Sequence, residues 1–164
     1  MPEITKLPFV LQKHKAFKAG LHYDFRIKYP SINKLISFVI VGDNIINKFS
    51  GIRKVFLIRT PDHSVAWLKK EYVIIPKGEY GGGTIEIVQK GFVDVVVWKK
   101  NYINIIIDSG EEKKYLNGNY HMFYVSDKKR AKSDRISEVW LMVCKEENAM
   151  VREKSTDNFL VKVT

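Results

Sequence analysis

The stretch Leu21-His22-Tyr23-Asp24-Phe25-Arg26-Ile27 sets apolar and polar residues in strict alternation. Successive side chains of a β-strand point to opposite faces, so His22, Asp24 and Arg26 share one face and Leu21, Tyr23, Phe25 and Ile27 the other. The apolar face suits a core. The opposite face then presents an imidazole, a carboxylate and a guanidinium in a row. Neighbours on that face lie about 6.6 Å apart at about 3.3 Å per residue, so His22 and Asp24 can lean onto one cation. Imidazole with carboxylate suits Mn, Fe or Zn better than calcium. Arg26, one step further on, is poorly placed as a ligand but well placed to fork onto a phosphate oxygen beside the metal. The plain alternative is a solvated face on which Asp24 pairs with Arg26.

Two further histidines bear on the choice. His14 ends the run Phe9-Val10-Leu11-Gln12-Lys13-His14, and Lys15 to Gly20 is long enough to turn back and bring it to His22. His63 lies in Arg59-Thr60-Pro61-Asp62-His63, read as a loop after a strand, where reactive side chains tend to collect. The fourth histidine, His121, sits in an expected strand. Taken singly, each histidine reads as a surface or hydrogen-bonded residue. Three within the first 63 positions, two of them flanking the carboxylate strand, favour a site.

The elements that must hold these groups are strands. Runs rich in β-branched and aromatic residues predict strands at Phe9–Lys13, Leu21–Lys28, Leu35–Val41, Val55–Arg59, Tyr72–Ile75, Thr84–Gln89, Phe92–Trp98, Tyr102–Asp108, Tyr120–Ser126 and Val139–Lys145. Turns are expected at Asp43-Asn44, Gly78 to Gly83, Lys90-Gly91, Asp108-Ser109-Gly110 and Asn117-Gly118-Asn119. Gly81-Gly82-Gly83 reads as a tight turn into a strand rather than a phosphate loop, since no Lys-Ser/Thr follows it. Only Val65–Glu71 and the tail after Glu146 could hold a helical turn, and the polar segment after Asn148 is expected to dock loosely. Many short strands joined by tight turns predict an all-β fold, a barrel-like antiparallel sheet with short helical turns, in one domain over 1–164.

Bulk properties fit a binder of polyanions. Lys and Arg number 28 against 18 Asp and Glu, a formal charge of +10. That surplus favours nucleic acid as partner, although a lysine-rich soluble surface gives the same composition. The single cysteine, Cys144, excludes an internal disulfide and reads as a buried, inert thiol in a strand. Met1 to Leu7 carries Glu3 and Lys6 and lacks the apolar core of a signal peptide. The longest apolar stretch, Leu35 to Gly42, is far short of the about 20 residues a membrane helix needs. A soluble, cytoplasmic protein with no membrane partner is expected.

With these residues in place the chain resembles the 3′-phosphoesterase domain of bacterial DNA ligase D and its stand-alone archaeal homologues. The likeness runs from Phe9 to about Glu147. It is carried by Gln12-Lys13-His14, Leu21-His22-Tyr23-Asp24-Phe25-Arg26, Arg59-Thr60-x-Asp62-His63, Ile75-Pro76-Lys77-Gly78-Glu79-Tyr80-Gly81-Gly82-Gly83-Thr84, Leu116-x-Gly118-x-Tyr120 and Trp140-Leu141-Met142. The resemblance implies a barrel-like β fold and Mn2+ held by His14, His22 and Asp24, with Arg26 and His63 on the phosphate. It implies healing of DNA 3′ ends for repair and end joining: removal of a 3′-phosphate, or of a terminal ribonucleotide in two steps, leaving a 3′-OH for separate ligase and polymerase proteins. The chemistry agrees with the residues. A divalent metal activates water and neutralises phosphoryl charge, Arg26 stabilises the equatorial oxygens, and His63 is expected to donate a hydrogen bond or proton near the leaving oxygen.

The pattern has departures. Seven residues separate His14 from His22, more than the family's usual spacing. Val41 and Val55 stand where a lysine and an arginine are expected, Pro61 in place of a glutamate, and Trp67 in place of a tyrosine. Eight residues precede Phe9, without a longer acidic N-terminal arm. The metal set is intact while the accessory polar shell thins. Two other functions compete. One is a non-catalytic module that binds DNA ends by charge. The other is a non-haem Fe/2-oxoglutarate oxygenase, with His22, Asp24 and His121 as the metal triad and Arg130 as the co-substrate's partner.

Overall fold

A computed structural model describes residues 5–41, 52–108, 115–129 and 135–145. Among the described residues nine antiparallel strands follow in chain order: β1 (Thr5–Ala16), β2 (Gly20–Lys28), β3 (Lys34–Val41), β4 (Ile52–Ser64), β5 (Tyr72–Ile75), β6 (Gly83–Lys99), β7 (Tyr102–Ile107), β8 (Gly118–Lys129) and β9 (Ile136–Lys145). A 3-10 turn, Val65–Lys69, links β4 to β5. The sheet order is β1-β2-β3-β4-β9-β8-β7-β6, and β6 pairs back onto β1, closing an eight-stranded barrel with β5 added to the edge of β6. The barrel-like all-β fold expected from the sequence is the fold observed.

The strand periodicity explains the interior. Alternate residues point inward from every wall: Phe9 and Leu11 from β1, Tyr23, Phe25 and Ile27 from β2, Phe38 and Ile40 from β3, Leu57 from β4 and Trp140 from β9. β7 and β8 add Ile103, Ile105, Tyr120 and Met122. Phe9 meets Phe25 edge-on at 6.0 Å, and Phe38 meets Trp140 at 5.4 Å. Each such side chain, taken out of water, stabilises the barrel by about 1.5–3 kcal/mol. Cys144 is buried, as expected of a strand thiol.

Several boundaries differ from expectation, each for a pairing reason. The strands Thr84–Gln89 and Phe92–Trp98 are one strand, β6, with no turn at Lys90-Gly91. One edge of β6 pairs with β1 from Gly83 to Val95, while the other edge passes from β5 to β7, so the chain runs on through the change of partner. Strand β4 continues through Pro61 to Ser64, which places His63 on a strand opposite Leu35 and not in a loop. The register with β3 shifts between Leu35 and Ser37, the irregularity that accommodates a proline lacking an N–H. Likewise β1 runs to Ala16, so His14 lies within a strand. Gly118 and Asn119 begin β8 instead of turning. Val65–Glu71 is realised as the 3-10 turn. Asp43-Asn44, Ser109-Gly110, Arg130 and the tail after Glu146 lie outside the described residues.

Candidate metal and phosphate site

Because the odd residues of β2 fill the barrel, His22, Asp24 and Arg26 stand on its outer face. β1 contributes His14, directly opposite His22, and Gln12, directly opposite Asp24. The two imidazole rings lie 4.5 Å apart, tilted by 58°. Although outside the barrel, Asp24 and Arg26 are only 5% and 4% exposed. Their cover comes from the 3-10 turn, whose Trp67 ring lies 5.0 Å from the Arg26 guanidinium, and from the turn before β6, where Gly81 reaches His14.

His14, His22 and Asp24 each offer a donor atom, all within 4.8 Å of one another. His14 Nδ1 is 3.3 Å from one Asp24 oxygen, and His22 Nε2 is 3.5 Å from the other. The far nitrogen of each ring is taken by backbone: His14 Nε2–H donates to the Gly81 carbonyl at 2.8 Å, and His22 Nδ1–H faces the Gly20 carbonyl at 3.3 Å. Such carbonyl partners fix ring orientation and aim the remaining nitrogen at a cation. Both carbonyls belong to left-handed glycines, Gly81 at φ 78° and Gly20 at φ 78°. A set of two imidazoles and a carboxylate fits a first-row transition ion, so these residues suit the metal that the resemblance implies.

Arg26 is held on every side. Its Nε–H donates to Ser37 Oγ at 2.9 Å, Nη1 to Gln12 Oε1, and Nη2 lies 3.3 Å from His63 Nε2 and 3.7 Å from Asp24. His63 Nδ1–H donates to the Pro61 carbonyl at 2.7 Å, with Ser37 Oγ also within 3.2 Å. His63 Nε2 therefore accepts from Arg26 in this arrangement. All five residues singled out in the sequence, His14, His22, Asp24, Arg26 and His63, are brought into one site. His121 is not. It extends outward from β8, across the barrel from β2, with the Tyr102 hydroxyl 2.6 Å from its Nδ1, so the oxygenase triad is not assembled. The third donor beside His22 and Asp24 is His14.

Ser37 and the carbonyls of Gly20 and Gly81 were not recognisable as parts of the site from the sequence alone, and Gln12 and Trp67 entered only through the family resemblance. Gln12 carried a signal, since it shares its strand face with His14. The carbonyl contacts carried none.

Residues 12–141 match the DNA Ligase D 3′-phosphoesterase domain family. The chain belongs to this family. All five site residues fall within the matched span. A comparison with curated proteins gives no match. Among the described residues, no helix is long and apolar enough to cross a membrane.

The electrostatics of this phosphoesterase-family site are set by burial working against neighbours. Burial by itself raises the Asp24 pKa, but hydrogen bonds from His14 and His22 and the Arg26 charge outweigh it and hold the carboxyl well below the usual range. Burial lowers His14, yet the hydrogen bond and charge of Asp24 leave its pKa raised. Burial lowers Arg26, which Asp24 partly offsets, and a guanidinium remains a cation. Burial, followed by the Arg26 charge, depresses His63 and favours its neutral ring.

Proposed function

We propose that this chain is a Mn2+-dependent 3′-phosphoesterase that heals DNA 3′ ends in repair and end joining. It removes a 3′-phosphate, or trims a terminal ribonucleotide, to leave a 3′-OH for separate ligase and polymerase proteins in the cytoplasm. The observation that carries the reading is the convergence of two aimed imidazole nitrogens and a low-pKa carboxylate beside a pinned arginine. In this reading His14, His22 and Asp24 would hold the metal, which would supply Lewis acidity for phosphate chemistry. Arg26 faces the phosphoryl oxygens. Its Ser37 and Gln12 partners fix the fork before substrate arrives, so little reorganisation is needed as charge develops. Trp67 under the guanidinium keeps water from one side of it.

His63 begins neutral, with Nε2 turned to Arg26. A phosphate dianion placed between them neutralises the Arg26 charge and favours the imidazolium. Nε2 takes a proton from solvent; as water attacks phosphorus and the P–O3′ bond breaks, Nε2–H donates that proton to the leaving 3′ oxygen, the attacking water's proton leaves with the phosphate, and the neutral ring is restored. The test is incubation with a primer-template ending in 3′-phosphate, with and without Mn2+, scored for a new 3′-OH. A metal-dependent 3′-OH supports the reading, and intact 3′-phosphate under both conditions overturns it. A DNA-end-binding module would retain its ligand affinity in His22→Ala and show no turnover in either form.

A further inference from the structure

A groove of about 1050 Å3 extends well beyond the metal ligands and ends at Lys128 and Lys129 on β8. A row of directly opposed residues marks its path across the outer face. Asp24 faces Val39, Val39 faces Ile58, Ile58 faces Val139, and Val139 faces Ser126. Four interstrand steps of about 4.8 Å give a path of about 19 Å along the sheet. Its middle is apolar, while cations stand at both ends.

A bulge puts Lys128 there. Tyr120 and Met122 point into the barrel, so unbroken alternation would send residue 128 inward as well. Tyr124 pairs with Trp140 and Ser126 with Val139, so β8 carries one extra residue and its parity flips. Lys128, opposite Ser137, is turned to the groove. Among the described lining residues the cations Lys18, Arg26, Lys77, Lys128 and Lys129 face only two carboxylates, Asp24 and Glu79. That balance selects a polyanion.

We propose that the DNA strand bearing the 3′ end lies along this row, its bases and sugars over Val39, Ile58 and Val139, with Lys128 and Lys129 on backbone phosphates upstream of the terminus. At about 3.4 Å of rise per stacked nucleotide, the contact falls about six nucleotides from the 3′ end. The proposal rests on the phosphoesterase reading for which end lies at Arg26.

The test is fluorescence anisotropy of the full chain with 3′-phosphorylated oligodeoxynucleotides, from dinucleotide to octanucleotide, at several salt concentrations. In wild type, affinity rises with length. The Lys128→Ala/Lys129→Ala variant loses several-fold of the octamer-to-dimer ratio. Its octamer salt slope is shallower by about 1.4, at about 0.7 for each single-strand phosphate contact. A ratio equal to wild type, or a larger loss in Lys18→Ala/Lys77→Ala on the other rim, overturns the proposal. Binding and turnover separate the two claims. Hydrolysis with an unaltered ratio defeats the strand path alone, and length-dependent binding without hydrolysis defeats the phosphoesterase reading alone.

Discussion

At Asp24, burial and its neighbours pull in opposite directions, and the neighbours win: hydrogen bonds with His14 and His22, then the Arg26 charge, hold the carboxylate. The same geometry makes Arg26 irreplaceable by another cation. Lysine has no planar fork to satisfy Ser37, Gln12 and a phosphate together, so Arg26→Lys should lower kcat by about 10²–10³-fold in single-turnover release of 3′-phosphate. His63 gives a pH signature. Its pKa lies below the ordinary value, so the native chain binds fewer protons there than the unfolded chain as pH falls through about 6.5, and stability falls with it. His63→Gln should lose less stability than wild type on that descent, measured by urea unfolding. In NMR titration the His63 midpoint should lie below that of a free histidine and move up in Arg26→Gln. An unmoved midpoint would remove Arg26 as a cause. His22, Asp24 and Arg26 were legible in the sequence because alternation alone places them on one face; His14 and His63 came from other segments and were joined to them by their clustering early in the chain and by the family resemblance. The carbonyls that aim the histidines were not, since every residue carries one and only the fold selects Gly81 and Gly20.

Among the elements, β1 and its two partners do most to set the site. β1 pairs with β2 from Phe9 to Ala16 and with β6 from Thr5 to Ala16, so it both closes the barrel and sets His14 opposite His22. At its end, Gly83 packs so tightly that an added Cβ would lie 2.1 Å from the Lys15 carbonyl oxygen. Gly20, by contrast, has open space around it. Gly83→Ala should therefore be the more damaging of the two, with overpacking of about 1–3 kcal/mol beyond any backbone strain, read from urea midpoints. Equal midpoints would contradict the close approach. Strand positions were legible from β-branched runs, but strand ends were not. Lys90-Gly91 and Pro61 look like breaks, and pairing along a neighbouring edge carries the chain through both. His63 was assigned to a loop for that reason.

For the molecule as a whole, the barrel buries its apolar core and places the site on its outer wall. The groove's row crosses five strands, β2, β3 and β4 followed by the distant β9 and β8, and no local pattern announces it. The single domain over 1–164 expected from the sequence predicts one cooperative thermal transition. A ligand that binds only the native state adds about 2.7 kcal/mol at 100 times its Kd, so Mn2+ should raise the Tm of wild type and not of His22→Ala. The most direct test of the account is a Mn2+ titration of metal-stripped protein, following phosphate release from a 3′-phosphorylated primer. Release should saturate at one Mn2+ per chain and vanish in His22→Ala. Release by stripped wild type, or undiminished release by His22→Ala, would contradict it.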